Sequence, residues 1–99
     1  MGYIDQIFKS QYNYNMNELL QRLEQAKKQI SSIKNKVARR DLLKMVKAVD
    51  SAMVSADMES VECRRLKKET SRYQELIQQV EKLLLNLEQY ITFANLLGG

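Results

Sequence analysis

A heptad register runs without interruption from position 63 to position 94 of this chain: Cys63, Leu66, Thr70, Tyr73, Ile77, Val80, Leu84, Leu87, Ile91 and Ala94. The spacing alternates three and four, which lines side chains along one seam of a helix. Helices in water draw most of their stability from packing, so a long helix with an apolar seam must lie against another, in its own chain or in a partner. The chain has no proline, and its glycines are Gly2, Gly98 and Gly99, so neither residue interrupts the interior. Tight β-hairpin turns, which draw on Gly, Asn-Gly or Asp-Gly, have little to work with. The reading is all-α, with long helices joined by minimal connections.

A second register covers Met16, Leu19, Leu23, Ala26, Ile30, Ile33 and Val37. Its next positions are Arg40 and Lys44, so it fails there, and a new stripe begins at Leu42, Val46, Val49, Met53 and Ala56, with Met45 beside it. Either the helix continues while its stripe drifts around the surface, or it breaks at 39–41 with Asp41 as a cap. Without Gly or Pro at that point, a continuous helix is the expectation. The strongest turn signal is the Ser-Ala-Asp-Met-Glu-Ser run at 55–60, rich in residues that favour caps and turns. Asn13 or Asn15 is the expected N-cap of the first long helix.

Together these signals predict a single domain over 1–99. A short N-terminal arm occupies 1–13, and a long antiparallel helical hairpin follows within 14–97, with helices at about 15–54 and 58–97. The two arms are 40 residues each, roughly 60 Å at 1.5 Å per residue. A hairpin shares one narrow seam, yet Leu76, Leu83, Tyr90 and Leu97 form a further row beside it. A stripe three positions wide per heptad suits a bundle of three or four helices. The expectation is a four-helix bundle completed by a dimer, since two-fold dimers are the commonest closed assemblies. The alternative is a monomeric three-helix bundle with a break near 39–41. Leu76, Leu83, Tyr90 and Leu97, with Ile4 and Phe8 of the arm, are the candidate self-association or partner interface.

Charge supplies the second candidate surface. Residues 22–47 hold nine cations against Glu24 and Asp41, and residues 64–72 hold five against Glu69. In the hairpin register the two clusters meet and form a basic collar. Its candidate anion or nucleic-acid contacts are Lys36, Arg39, Arg40, Lys44, Lys47, Arg64, Arg65, Lys67, Lys68 and Arg72. The net charge of +4 is modest for a dedicated nucleic-acid binder, and no zinc-finger spacing, RNP motif or basic-zipper region is present.

Catalysis finds no support. There is no histidine and a single cysteine, Cys63, which removes Cys-His nucleophiles and zinc sites. A phosphate loop needs interior glycine. Cys63, on the seam, reads as a small buried hydrophobe. No apolar run is long enough to cross a membrane, and the first 15 residues lack a signal-peptide core, so the expected compartment is the cytoplasm. The expected function is non-enzymatic: an interaction protein serving as adaptor, chaperone, or regulatory or structural subunit of a larger assembly, as a homodimer or with a protein partner. The alternative is a nucleic-acid-associated accessory protein acting through the basic collar. No cofactor, metal or small-molecule substrate is expected.

Overall fold

A computed structural model describes the backbone of residues 2–97 and the side chains of residues 16–97. Three helices account for it: α1 (Gly2–Ser31), α2 (Lys36–Leu66) and α3 (Ser71–Leu96). No strand occurs among the described residues. The body is a rod of 54 × 20 × 15 Å. α2 and α3 share the most extensive contact, and α1 packs against both.

The hairpin with arms at 15–54 and 58–97 is corrected to three helices with connections at 32–35 and 67–70. The backbone is helical from Gly2 through Ser31, so no break separates an arm from the first helix, and neither Asn13 nor Asn15 caps one. The side chains of Ile4 and Phe8 lie outside the described residues.

The first connection forms without glycine or proline because polar side chains take up the helix-end groups. Ser31 and Ser32 hydroxyls donate to the carbonyls of Lys28 and Gln29 at 2.7 and 2.8 Å. Tight backbone bonds run from Ser32 to Gln29 and from Ile33 to Ile30. These satisfy carbonyls that the end of a helix leaves open. Asn35 then caps α2, its Oδ1 accepting from Val37 N and Ala38 N at 3.0 and 3.1 Å. Ile33, almost fully buried, pins the turn to the core, and Arg39 Nη1 donates to its carbonyl at 3.1 Å. The break therefore falls at 32–35, and Asp41 is an exposed residue inside α2.

The expected turn at 55–60 is instead helix interior. Ala52, Met53, Ala56, Ser60 and Cys63 continue the buried face of α2 through it. Ser60 meets its hydroxyl requirement by donating to the Asp57 carbonyl, so a serine here needs no turn. Packing of that face outweighs the weak local preference of Ser and Asp.

α2 ends in a Schellman motif. Lys68 N donates to Cys63 O and Lys67 N to Arg64 O at 3.1 and 3.3 Å, with Lys67 in the left-handed region at φ 57° and ψ 37°. Glycine usually holds such a position. Thr70 starts α3: its Oγ1 accepts from Tyr73 N at 3.1 Å and donates to Glu59 Oε2 at 2.7 Å. With that proton committed to Glu59, the Cys63 thiol 3.7 Å away is the donor of their contact. Arg72 Nε, 3.8 Å from Glu59 Oε1, completes the junction.

The 63–94 register therefore spans a turn. Cys63, Tyr73, Ile77, Val80, Leu84, Leu87 and Ile91 are core residues, whereas Leu66 is 40 % exposed and Thr70 is a cap. Leu19, Leu23, Ala26, Ile30 and Ile33 face them, as do Leu42, Val46, Val49, Met53 and Ala56. Full burial of each large aliphatic side chain contributes about 1.5–3 kcal/mol. Val37, the last position of the second register, lies beyond the α1–α2 break and is exposed.

Candidate functional site

The row Leu76, Leu83, Tyr90 and Leu97 divides in two. Leu76 and Leu83 are partly buried and pack against the chain's own core. The width that suggested a second molecule is thus used, over that half, by intrachain neighbours. Tyr90 and Leu97 are 60 % and 73 % exposed. Near the free end of the α2–α3 pair they line an open groove of about 710 Å³. Val37, Ala38, Leu42 and Met45 from the first turns of α2 form one wall, and Tyr90, Phe93, Ala94 and Leu97 from the last turns of α3 form the other. Asn35, Asp41 and Lys44 also border it.

Helix geometry explains how these side chains converge. Tyr90, Phe93 and Leu97 follow i, i+3, i+7 spacing and share a face, offset from the buried face of Leu84, Leu87 and Ile91. Phe93, 59 % exposed, was missed because it is off the heptad seam, although its spacing from Tyr90 and Leu97 was visible in the sequence. Val37 was misread as a seam residue of a longer first helix.

The basic collar is not formed. Lys36, Arg39, Arg40, Lys44 and Lys47 stand on the first half of α2, and Arg64, Arg65, Lys67, Lys68 and Arg72 stand at or beyond its far end. Twenty residues of unbroken helix separate Lys44 from Arg64, about 30 Å at 1.5 Å per residue. The collar required α2 to fold back near 55–60, and it does not.

The two clusters also differ in how they are neutralised. At the far end, Arg65 is paired with Glu62, and Arg72 lies beside Glu59. The hydrogen bond from Arg65 holds the Glu62 carboxyl below its usual value, and Arg65 is correspondingly raised. In the first cluster, Lys27 of α1 sits 3.5 Å from Glu24 and 3.9 Å from Asp50. Lys34, Lys36, Arg40, Lys44 and Lys47 are exposed and make no ion pair among the described residues. On the other wall, no charged residue follows Glu88 through residue 97. Glu88 itself is held by Arg22 of α1 through bonds of 2.6 and 3.1 Å, which raise the Arg22 guanidinium above its usual value.

Other surfaces offer less. Val54, Met58 and Val61 form an exposed apolar stripe along α2. Cys63 is buried. Among the described residues no group of three or more His, Cys, Asp or Glu side chains is placed to hold a metal ion, and no helix is long and apolar enough to cross a membrane.

Among the described residues the chain is all-α, three helices with an apolar groove where α2 begins and α3 ends. Compared with known proteins, the chain matches no family model, no curated protein and no solved structure.

Proposed function

We propose that this chain is a non-enzymatic helical interaction protein, an adaptor, chaperone or subunit that docks another polypeptide in the α2–α3 groove. The observation that carries the reading is the concentration of Val37, Tyr90, Phe93 and Leu97, all large and more than half exposed, around one concave surface. Exposed apolar residues scattered singly need no explanation, but a contiguous apolar concavity rimmed by polar groups is the usual form of a docking site. The three-helix chain buries a core of its own, so a second copy is one occupant of the groove rather than a requirement of folding.

A photo-crosslinking residue at position 93 in the native host tests this. The expected result is a discrete adduct from position 93 and none from position 51, an exposed site on α2 outside the groove. An adduct at twice the 11.6 kDa chain mass assigns the groove to a homodimer. Equal yields from both positions, or none from either, would sink the docking reading.

The nucleic-acid reading now draws on only one basic cluster at a time. A shift assay against a DNA or RNA duplex at low salt decides it. Binding must be detected, and it must be lost when Arg39, Arg40, Arg64 and Arg65 are replaced by Glu.

A further inference from the structure

We infer that the groove's occupant is an amphipathic helix of a partner protein with its carboxylates along one flank, the flank beside α2. This inference rests on the docking reading above and specifies its partner.

Dimensions come first. The α2 wall extends from Val37 to Met45, about 12 Å at 1.5 Å per residue. Anchors at i, i+3 or i+4, and i+7 of a docked helix span about 10.5 Å, the usual reach of helix-in-groove recognition. A volume of about 710 Å³ accommodates the apolar face of one short helix rather than a broad protein surface.

Charge decides the class of helix. Lys44 lines the α2 side, Lys34, Lys36, Arg40 and Lys47 are exposed in the connection before α2 or on its first half, and Asp41 is the one carboxylate among the described residues that borders the groove. The positive end of the α2 dipole lies at the same place. The α3 side, through residue 97, has no charge beyond Glu88, which Arg22 already holds. The field across the groove is therefore lopsided, cationic on one bank and neutral on the other. A second copy is disfavoured here, because an isologous contact offers only this same surface, in which Asp41 is the one carboxylate among the described lining residues to set against the cations. A helix with Asp or Glu on one flank, and neutral polar or apolar residues on the other, meets both banks.

The test is a selection from a displayed library of 18-residue helical peptides with randomised faces, using the full chain as bait and its Phe93→Glu variant for counter-selection. The expected peptides carry apolar residues at i, i+3 or i+4 and i+7, with Asp and Glu enriched on one flank. Their affinity is expected to fall at least about tenfold on the Lys36→Glu/Arg40→Glu/Lys44→Glu variant. A few-fold gain is expected with Asp41→Lys. These residues are exposed, so each variant should melt within a few degrees of the parent, which circular dichroism checks. Selected peptides that are neutral or basic, or indifferent to charge reversal, overturn the acidic-helix inference and leave docking intact. If no peptide distinguishes the parent from Phe93→Glu, both readings fall. A DNA duplex or phosphatidylserine vesicle that displaces every selected peptide at equal concentration also overturns the inference, assigning the site to phosphate groups.

Discussion

The position of the α1–α2 break can be tested by a pair of substitutions, Asn35→Ala and Asp41→Ala. Asn35 Oδ1 accepts two backbone N–H groups, from Val37 at 3.0 Å and Ala38 at 3.1 Å, so Ala leaves both without this partner. N-cap removal typically costs about 1 kcal/mol, within a range of about 0.5–2 kcal/mol. For a domain of this size that lowers Tm by about 4–8 °C. The turn is exposed enough for water to replace part of the loss, which argues for the middle of the range. Asp41 is exposed within α2 and makes no cap. Its replacement by Ala should leave stability unchanged or raise it by up to about 0.7 kcal/mol through helix propensity. Asn35→Asp keeps the acceptor and places a carboxylate at the helix N-terminus, so it should match the parent or exceed it. Thermal melts by circular dichroism, with urea titrations to show an unchanged m-value, measure all three. A drop for Asp41→Ala with none for Asn35→Ala would refute the reasoning and return the break to 39–41.

Three further outcomes are expected. Lys67→Gly relieves a left-handed backbone that costs a non-glycine residue about 1–2 kcal/mol, less about 0.4–1 kcal/mol of added unfolded-state entropy. The net gain of about 0.5–1 kcal/mol should appear as a higher urea midpoint; a lower midpoint would contradict the Schellman assignment. A double-mutant cycle on Arg22→Ala and Glu88→Ala should give a coupling of about 0.5–1 kcal/mol. That coupling should shrink as salt is raised, because the side chains are 31 % and 35 % exposed; a coupling independent of salt would count against it. Glu62, lowered by its bond from Arg65, should titrate by NMR below the ordinary glutamate value of 4.5, and Arg65→Ala should restore that value. The sign follows from the direction: a depressed carboxyl contributes its stabilisation above the ordinary value and loses it as pH falls through the lower folded-state midpoint.

Much of the core was legible in the residues. Every seam position from Tyr73 to Ile91 is buried, as are Leu19 to Ile33 of the second register and all five positions of the Leu42–Ala56 stripe. The connections were not legible, for two separate reasons. Residues 67–70 contain no glycine, and the heptad count from Leu66 through Thr70 to Tyr73 runs across the turn as though it were helical. At 32–35 the signal was present, as Ser31, Ser32 and Asn35, but the Ser-Ala-Asp-Met-Glu-Ser run at 55–60 competed with it. Local preference could not arbitrate, because Ser60 bonds back to Asp57 within the helix and Ala56 is fully buried. Within the candidate row Leu76, Leu83, Tyr90 and Leu97 the periodicity could not tell covered from open positions: Tyr90 and Leu97 are exposed while Leu76 and Leu83 pack against the core, since exposure depends on where α2 lies.

The sequence by itself determined that the chain is helical, which faces are apolar, and that those faces must be covered, because period and composition act within a helix and need no knowledge of its neighbours. Only the tertiary structure decided where the chain reverses, and therefore what meets what. Moving one turn from 55–60 to 67–70 carries the second basic cluster to the far end of α2, about 25 Å along the helix from Lys47 to Arg64, and the break at 32–35 lays a third helix over the seam. Charge and apolar surface along a helix are local properties. Their juxtaposition is set by loop position, which rests on a few capping hydrogen bonds of about 1 kcal/mol each and on the packing they permit.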